Sequence, residues 1–430
     1  MSAPTRRWPT ALPAHATPAE PSDGVAGFRF YGGYAGIKKR ERDDLALLLA
    51  AEGTRCVGVF TTNQVVAAPV VQSRARLAQS DRVRAVIANS GNANACTGAR
   101  GDADALEMSA LAARALRDAG HPCEEPEVQV CSTGVIGAPL PIEKIAAHAP
   151  LAVAGLREGG LEDFARAIMT TDTRPKARAL SLTLPAGEGS AQGTPPLTVR
   201  VAGASKGAGM IHPNMATMLA YVCTDAHLPP HALAPLWRRV CDKSFNAISI
   251  DGDTSTNDTA LLLSSGEALG APALTPAQLA AFEEGLTCLA RELALDILRD
   301  GEGVEHVLHL TVSGARDAVE ARRVAETVAL SPLVKTALNG KDPNWGRVIA
   351  AVGRSGVRVE PAALSLWIGE VPVYSKGVWR GVEAERAAHD VMVGTEYSAR
   401  VDLGGGEASF TLYSTDLSAE YVRINADYRS

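Results

Sequence analysis

The residues best suited to chemistry in this sequence surround a single threonine, Thr217. It follows a glycine-rich stretch at 206–209 (KGAG) and a turn-type cluster at 212–214 (HPN). It precedes an apolar run at 218–223 that is typical of a buried strand. A threonine hydroxyl is a weak nucleophile at neutral pH and needs a base beside it. The stretch predicts either an ordinary strand start or a nucleophile at the point where a flexible loop enters the core.

The nearest base for Thr217 would be its own α-amine, whose reference pKa of about 8 leaves part of it neutral at pH 7. That amine exists only if the bond between Ala216 and Thr217 is cut. The threonine hydroxyl can attack the preceding carbonyl, move the chain to an ester and let water release it. Ala216 is small enough to leave room for this attack, and the glycines permit the turn that it needs. The residues allow self-cleavage without requiring it.

A second segment, 128–134 (VQVCSTG), ends a short apolar run in Ser, Thr and Gly. This composition is typical of a turn that connects a strand to a helix. It also suits an oxyanion hole, because glycine lets a backbone N–H approach a tetrahedral oxygen and the Thr133 hydroxyl adds a second donor. The residues alone leave both interpretations open.

Composition excludes several classes of function. The chain has 430 residues, 46% hydrophobic and 21% charged, which is ordinary for a globular protein. The net charge is −6 and no long basic run is present, so nucleic-acid binding is not expected. The seven cysteines are scattered and form no CxxC pair, which favours reduced thiols in the cytoplasm. No apolar run approaches the ~18 residues of a membrane-spanning helix.

Metal and nucleotide sites are not predicted either. His306 and His309 lie on an expected strand at 304–312, where their odd spacing points them to opposite faces. The segment 251–258 (DGDTSTND) begins like an EF-hand loop, but Thr256 and Leu262 replace the required Gly and Glu. No dinucleotide fingerprint or P-loop spacing is present. We therefore expect no metal and no nucleotide, and we expect 251–258 to line the active site.

The hydrophobic pattern alternates between helices and strands and predicts an α/β fold. Residues 1–26 are rich in Pro, Ala, Thr and Ser and are expected to form a flexible tail. Residues 187–196 are expected to connect a hairpin. Helices are predicted at 102–119, 142–147, 161–169, 231–245, from a capping box at Thr275 to about Arg299, and at 318–338 with a break at Ser331. Strands are predicted at 44–49, 56–61, 84–89, 128–131, 218–223, 304–312, 397–401 and 409–413.

The segment 206–225 resembles the self-processing segment of the bifunctional ornithine acetyltransferases, the glutamate N-acetyltransferases of arginine biosynthesis. The resemblance extends in the same order over nearly everything after the first two dozen residues. Its other motifs are GIKK at 36–39, VFTTN at 59–63, NSGNANACTG at 89–98, STGVIG at 132–137, DGDTSTND at 251–258, DPNWGR at 342–347 and YVRINADYR at 421–429.

The resemblance implies an α/β fold of sheets sandwiched between helices (αββα) and a chain cut between Ala216 and Thr217. The products would be an alpha chain, 27–216 after the tail at 1–26, and a beta chain, 217–430. Thr217 would be the nucleophile, with Thr133 and Gly134 as the oxyanion hole.

The resemblance also implies a substrate site and a reaction. Substrate would be bound by Lys206, Thr217, Glu302, Asn425, Ser430 and one of Thr170 and Thr171. The acetyl group of N2-acetylornithine would pass to glutamate through an acetyl-threonine intermediate. No prosthetic group is implied, and acetyl-CoA is left open as a second donor. The assembly would be a cytoplasmic heterotetramer of two alpha and two beta chains, without nucleic acid or membrane.

Two other functions fit parts of the sequence. The same machinery with water as the acceptor would be an N-terminal-nucleophile amidase or aminopeptidase, although the related aminopeptidases use a serine nucleophile where this chain has Thr217. A binding protein whose glycine-rich loops hold a metal or nucleotide would remain uncut. Trapping of an acetyl-enzyme separates the first alternative from acetyl transfer, and an intact chain with tight metal binding would favour the second.

Overall fold

The computed structural model describes residue 8 and residues 11–186, 196–212 and 218–426. The chain forms two compact units and alternates between them. The first unit comprises Met1–Gly207, Asn214–Asn246 and Thr254–Asp296, and the second comprises Ala208–Pro213, Ala247–Asp253 and Ile297–Ser430. Both predicted cleavage products contribute to the first unit, so the junction at Thr217 is not a domain boundary.

The secondary structure alternates as the sequence pattern predicts. The strands are β1 (Ala16–Ala19), β2 (Phe28–Gly33), β3 (Leu45–Ala50), β4 (Arg55–Phe60), β5 (Ala85–Asn92), β6 (Val128–Val135), β7 (Lys176–Leu184), β8 (Leu197–Lys206), β9 (Leu219–Thr224), β10 (Ile248–Ser249), β11 (Thr259–Ser264), β12 (Val307–Ala315), β13 (Ser365–Ile368), β14 (Val371–Ser375), β15 (Val378–Trp379), β16 (Glu396–Asp402) and β17 (Ala408–Thr415). The helices are α1 (Ala68–Gln79), α2 (Gly98–Asp118), α3 (Ile142–Ala154), α4 (Leu161–Ala167), α5 (Pro230–Asp242), α6 (Pro276–Arg299), α7 (Ala318–Ala329), α8 (Pro332–Asn339), α9 (Trp345–Gly353), α10 (Val382–Met392) and α11 (Ala419–Ala426).

The first unit contains two sheets that share a core. One has six strands in the order β1-β7-β8-β9-β11-β4, and the other has four in the order β2-β3-β5-β6. Strand β3 is buried along its whole length because its side chains alternate between two cores. Ala46 and Leu48 pack with Tyr221 of β9, between the sheets. Leu45 and Leu47 pack against the helices on the other face.

Helices cover the outer faces of both sheets in the first unit. Residues of α2 and α3 share the core behind the four-stranded sheet. Against the six-stranded sheet, Trp237 of α5 donates its indole N–H to the carbonyl of Ala260 over 3.0 Å. Helix α6 packs so closely that a Cβ atom at Gly285 would lie 2.5 Å from Leu182. The layers are helix, sheet, sheet, helix, which confirms the predicted fold.

The second unit is built on one sheet of seven strands, in the order β10-β17-β12-β16-β13-β14-β15. Its core is formed by strand residues such as Leu310 and Leu366 together with residues of four helices, among them Val324 of α7 and Val352 of α9. The predicted helix break at Ser331 is confirmed, since α7 ends before it and α8 begins with Pro332.

Three neighbouring strands of the six-stranded sheet determine where the site lies. Strands β7 and β8 pair as the predicted hairpin, whose connection at 187–195 lies outside the described residues. Strand β8 runs antiparallel to β9, with Lys206 opposite Leu219. Strand β11 runs parallel to β9, with Thr259 also opposite Leu219. Lys206 and the first residues of β9 and β11 therefore lie at the same end of these three strands.

Several sequence predictions need correction. Within the expected flexible tail, Ala16–Ala19 forms β1 and pairs with β7, because its backbone can extend the edge of the sheet. The STG segment is not a turn into a helix, since β6 continues through it to Val135. His306 precedes β12 and does not lie on it. The sequence analysis did not predict α1, α10 and β13–β15, because their apolar patterns are short or interrupted by polar residues.

Candidate active site

Lys206 lies at the end of β8 and is a buried lysine of the first unit. Its side chain is only 2% exposed, and its ammonium nitrogen donates to the Thr133 hydroxyl over 3.3 Å. The sequence predicts a flexible loop at this position, and the structure corrects that prediction because Lys206 is the last residue of a central strand. The hydrogen bond places the cation beside the predicted oxyanion pair and leaves the Thr133 O–H available as a donor.

A buried carboxylate, Asp172, balances this positive charge. It accepts from the Lys176 ammonium over 2.6 Å and from the backbone N–H of Gly207 over 2.7 Å. Burial acts to raise the pKa of Asp172, but the charges of Lys176 and Lys206 outweigh it and hold the pKa below its usual range. Asp172 is therefore ionised and fixes the backbone immediately after Lys206.

The loop that carries Thr170 and Thr171 is held at both ends. The backbone N–H of Thr170 donates to Asp172 over 2.9 Å, and Lys38 donates to the carbonyl of Met169 over 2.8 Å. Burial lowers the pKa of Lys38 to about 8. Thr170 and Thr171 are both half-buried.

The predicted oxyanion pair lies at an irregularity in the ladder between β5 and β6. Gly134 has a φ of +136°, and a Cβ atom there would lie 2.3 Å from the carbonyl carbon of Gly91. Only glycine fits this close approach of two backbones. Asn257 fixes Ser132, the residue before Thr133, by donating its side-chain N–H to the Ser132 carbonyl over 3.0 Å.

The residue after Thr217 is held by a second buried acid, Asp258. The backbone N–H of Met218 donates to its Oδ1 over 2.8 Å. Asp258 is 0% exposed, and its Oδ2 has no hydrogen-bond partner among the described residues. Burial raises the pKa of Asp258 well above its usual range, which favours the protonated form of this carboxyl. Ala216 and Thr217 themselves lie outside the described residues.

The second unit brings together two further predicted residues, Glu302 and Asn425. Asn425, on α11, donates its side-chain N–H to the Glu302 carboxylate over 2.8 Å. Glu302 is 8% exposed, and its backbone N–H donates to the carbonyl of Ala208 over 2.8 Å. A Cβ atom at Gly209 would lie 2.6 Å from the Glu302 carboxylate, so glycine is needed there. Ser430 lies outside the described residues.

Asp251 fixes residues 210 and 211, which directly follow the glycine beside Glu302. It accepts backbone N–H groups from Met210 over 2.5 Å and from Ile211 over 2.9 Å. The Tyr421 hydroxyl of α11 donates to it over 3.1 Å. The carboxylate thus ties residues 210–211 to the C-terminal helix within the second unit.

Two features of the second unit bear on other predictions. Glu305, His306 and Asp416 could hold a metal, since their ligand atoms lie within 4.8 Å of one another. Asp416, however, already accepts the two backbone N–H groups of Glu305 and His306 and a side-chain N–H from Asn339.

In the DPNWGR motif, Trp345 stacks on Tyr374 with ring centroids 5.1 Å apart, which supports a packing role.

Sequence reasoning missed several of these residues. Asp251, Asp258 and Tyr421 lie inside the motifs at 251–258 and 421–429, and Asp172 and Lys176 follow Thr170 and Thr171 in the sequence. The spacing of four residues between Asp172 and Lys176 could have indicated their ion pair, because a loop that leads into a strand allows such a contact. The others depend on contacts between residues that are far apart in the sequence.

The fold and the first unit's site define a class: a helix–sheet–sheet–helix protein with a buried lysine beside a Thr-Gly pair. The model of the ArgJ family matches residues 29–430. The arginine biosynthesis bifunctional protein ArgJ of Geobacter sulfurreducens is 47% identical over 410 residues, which are 94% of this chain and 100% of that protein. The ArgJ protein of Methylococcus capsulatus is 45% identical over 94% of this chain and 96% of its own length. The chain belongs to the ArgJ family.

Solved structures are also similar to parts of the chain. The arginine biosynthesis bifunctional protein ArgJ of Bacillus halodurans is 34% identical, with a TM-score of 0.46, over 48% of this chain and 97% of its own. The ornithine acetyltransferase of Mycobacterium tuberculosis, solved with ornithine, is 37% identical, with a TM-score of 0.38, over 46% of this chain and 98% of its own.

Among the described residues, no helix combines the length and apolar character needed to cross a membrane.

Proposed function

We propose that this protein transfers the acetyl group of N2-acetylornithine to glutamate in arginine biosynthesis, through an acetyl ester on Thr217. Membership in the ArgJ family supports the proposal. The observation that carries it is the contact between Lys206 and Thr133, 3.3 Å long. Lys206 lies opposite Leu219, two residues beyond Thr217, so a cation and a hydroxyl donor are available near the proposed nucleophile.

The nucleophile would first be released by self-cleavage, giving an alpha chain 27–216 behind residues 1–26 and a beta chain 217–430. The Thr217 hydroxyl oxygen attacks the carbonyl carbon of Ala216, and the C–N bond breaks as the hydroxyl proton moves to nitrogen. Water then hydrolyses the resulting ester. The products are a carboxylate on Ala216 and a threonine with a free α-amine, which can act as a base.

The same groups would then carry the acetyl group. The Thr217 amine takes the proton from its hydroxyl as the oxygen attacks the acetyl carbonyl. The Thr133 hydroxyl and the Gly134 N–H stabilise the tetrahedral oxyanion. The C–N bond to ornithine breaks, and the amine returns its proton to the leaving nitrogen. Glutamate then attacks the ester with its amino group, and the steps run in reverse to release N-acetylglutamate.

Five positions would bind the amino-acid parts of the substrates. Lys206 would pair with a substrate carboxylate, because it places a cation beside Thr133 of the proposed oxyanion hole. Glu302 would pair with a substrate ammonium, and Asn425 holds that carboxylate in place. Ser430 and one of the Thr170 and Thr171 hydroxyls would add neutral hydrogen bonds.

The proposal extends to cofactors and assembly. No prosthetic group or metal takes part, and acetyl-CoA serves as a second acetyl donor. Two alpha and two beta chains associate as a heterotetramer in the cytoplasm. All seven cysteines are unpaired, as expected in a reducing compartment.

The test is a transfer assay with N2-acetylornithine labelled in its acetyl group. With glutamate present, we expect labelled N-acetylglutamate and an equal amount of ornithine. Without glutamate, acid quenching should leave label on the beta chain. Labelled acetate released at the same rate with and without glutamate would instead identify a hydrolase. A parallel assay with labelled acetyl-CoA decides the second donor, and Thr217→Ala is the inactive control.

A further inference from the structure

Lys38 ties the loop that carries Thr170 and Thr171 to another part of the first unit. It belongs to the GIKK motif at 36–39, which the proposed acetyl-transfer steps do not use, and it lies between β2 and β3. Its side chain is half-buried, and its ammonium donates to the carbonyl of Met169 over 2.8 Å. Met169 immediately precedes Thr170 and Thr171, one of which is proposed to bind substrate. Lys38 therefore holds the start of this loop from outside it.

The backbone at Lys38 is itself fixed, chiefly by Asp44. This acid is 0% exposed, and its side chain accepts the backbone N–H groups of Lys38, over 2.8 Å, and Ala35, over 2.6 Å. The Lys38 ammonium also donates to the carbonyl of Asp43 over 2.7 Å. The backbone carbonyl of Asp44 accepts from the N–H of Ser90 on β5 over 2.9 Å. Because the backbone of Lys38 is attached to the four-stranded sheet, less entropy is lost in holding its ammonium in place.

The stem of Lys38 packs on the strand that supports the proposed oxyanion hole. A Cβ atom at Gly91 of β5 would lie 2.8 Å from Cγ of Lys38. A Cβ atom at Gly134 of β6 would lie 2.3 Å from the carbonyl carbon of Gly91. The two glycines are opposite each other in the ladder, with φ values of +97° and +136°. Gly91 is therefore packed against both Lys38 and Gly134, and one lysine side chain connects the proposed substrate loop to the backbone beside the oxyanion pair.

The charge of Lys38 depends on pH close to neutrality. Burial lowers its pKa to about 8. Of the surrounding charges, Asp44 and Asp172 act to raise this pKa, and Arg42 and Lys206 act to lower it. At pH 7 most of the ammonium therefore keeps its charge, and charged N–H donors form stronger hydrogen bonds than neutral ones. Above about pH 8 the two bonds to backbone carbonyls should weaken.

We propose that Lys38 is a positioning residue for acetyl transfer, which holds the loop of Thr170 and Thr171 at a fixed place relative to Gly134. This inference rests on the proposed function, because it requires that the loop and the oxyanion hole act on the same substrate. They can do so only if the distance between them is fixed, since a displacement of about 1 Å can slow a reaction by a large factor. Asp172 accepts the N–H of Thr170 within the loop, and Lys38 supplies the anchor from outside it.

Substitutions at Lys38 separate its ammonium from its stem. Lys38→Met removes the ammonium and keeps an apolar stem against Gly91, and we expect kcat/KM to fall about tenfold to a hundredfold. Most of the loss should be a higher KM for N2-acetylornithine, because the loop contacts substrate before as well as during the reaction. Lys38→Arg keeps the charge and the N–H donors and should recover most of the loss. Lys39→Met is the matched control, since Lys39 is the next residue in the motif and is exposed.

A pH profile separates the charge of Lys38 from a purely structural role. As pH rises through about 8, wild-type Lys38 loses its charge, whereas an arginine at this position stays charged. The kcat/KM of the wild type, divided by that of Lys38→Arg at each pH, should therefore fall above about pH 8. Ionisations that the two proteins share, such as that of the proposed Thr217 amine, cancel in this ratio.

The measurement is steady-state transfer from N2-acetylornithine to glutamate by the purified proteins, at pH values on both sides of 8, with a thermal melt of each protein. We expect a raised KM in Lys38→Met, recovery in Lys38→Arg, wild-type kinetics in Lys39→Met and a falling pH ratio. If Lys38→Met does not fold, the pH ratio decides alone: a fall above about pH 8 supports the positioning role, and a constant ratio overturns it.

The outcomes separate this inference from the proposed function. A wild type that forms no N-acetylglutamate overturns the proposed function itself. A wild type that transfers the acetyl group, together with a folded Lys38→Met that has unchanged kcat and KM, overturns the positioning role alone. A lower melting temperature of Lys38→Met with unchanged kinetics has the same consequence, because it would make Lys38 structural. An equal loss of kcat/KM in Lys38→Arg and Lys38→Met also contradicts the inference.

Discussion

In the first unit Lys176 lies beside a buried carboxylate, whereas in the second unit Lys335 lies among neutral oxygens. Lys176 and Asp172 form an ion pair 2.6 Å long, with both side chains inaccessible to solvent. Lys335 is 5% exposed and donates to the carbonyl and hydroxyl oxygens of Thr415. Burial lowers the pKa of Lys335 to about 8, although Asp416 and Asp251 act to raise it.

The difference shows what each buried cation can do. A buried lysine without an ionic partner loses its proton more readily than an exposed lysine, and its neutral form is tolerated in a core. Such a residue suits packing between α8 and β17. In the first unit, Lys176 has Asp172 as its ionic partner, and Asp172 also accepts the backbone N–H of Gly207, the residue after Lys206.

The largest effect is expected from removing the C-terminal residues Asn425 to Ser430. This deletion takes away the Asn425 contact to Glu302 in the second unit and leaves the first unit unchanged in sequence. Transfer should be abolished while self-cleavage persists, because the residues that surround Thr217 in the sequence remain. A gel followed by an ornithine-release assay measures both. Full transfer by the truncated, cleaved protein would remove Asn425 and Ser430 from the site.

A large loss of stability is expected from Asp172→Asn. The variant leaves Lys176 buried without its charge partner, which typically costs about 3–5 kcal/mol. The folded pKa of Asp172 lies below the unfolded value, so its contribution is present above about pH 4 and is lost as pH falls. Denaturant unfolding at pH 7 measures the change.

The control for Asp172→Asn is Glu383→Gln, which breaks the exposed ion pair with Arg386 in the second unit. Surface substitutions of this kind usually change stability by less than about 0.5 kcal/mol. If the two variants lost similar stability, the contrast between the buried pair and the exposed pair would be wrong.

A smaller effect, mainly on activity, is expected from Glu302→Gln. The variant keeps the shape of the side chain and an acceptor for Asn425 but removes the charge proposed to bind a substrate ammonium. Hydrogen bonds to charged groups contribute about 1.5–3 kcal/mol, so kcat/KM should fall about tenfold to a hundredfold. Steady-state kinetics and a thermal melt decide the matter. A lower melting temperature with unchanged kinetics would make Glu302 structural.

The last effect, on stability alone, is expected from the pH dependence of Lys335. Its folded pKa of about 8 lies below the unfolded value of about 10.4, so the unfolded chain binds more protons between these values. Stability attributable to Lys335 should therefore rise from about pH 8 to about pH 10. Unfolding of the wild type and Lys335→Met over this range measures the difference. Parallel curves for the two proteins would contradict the assigned pKa.

Much of the fold follows from local patterns in the sequence. The capping box at Thr275 begins α6 as predicted, with the Gln278 N–H donating to the Thr275 hydroxyl. The apolar run after Met218 becomes β9, buried at every residue. Such signals are local, so periodicity and turn chemistry are sufficient to read them.

The site was only partly predictable, for a physical reason. Glu302 and Asn425 were named from the family resemblance, and the structure places them in contact. The pairing of Lys206 with Thr133 joins strands of two different sheets, and no local pattern encodes which sheet a strand joins. For the same reason, the flexible loop predicted at Lys206 is wrong: its glycines suggested mobility, but its neighbours in space bury it.

The central claim is that Thr217 becomes a free N-terminus, and intact-mass analysis of the purified protein tests it most directly. We expect two chains, one ending at Ala216 and one beginning at Thr217, and a single full-length chain for Thr217→Ala. N-terminal sequencing of the second chain should begin Thr-Met-Leu-Ala. An active enzyme that is a single uncut chain, or one cut at another bond, would contradict the account.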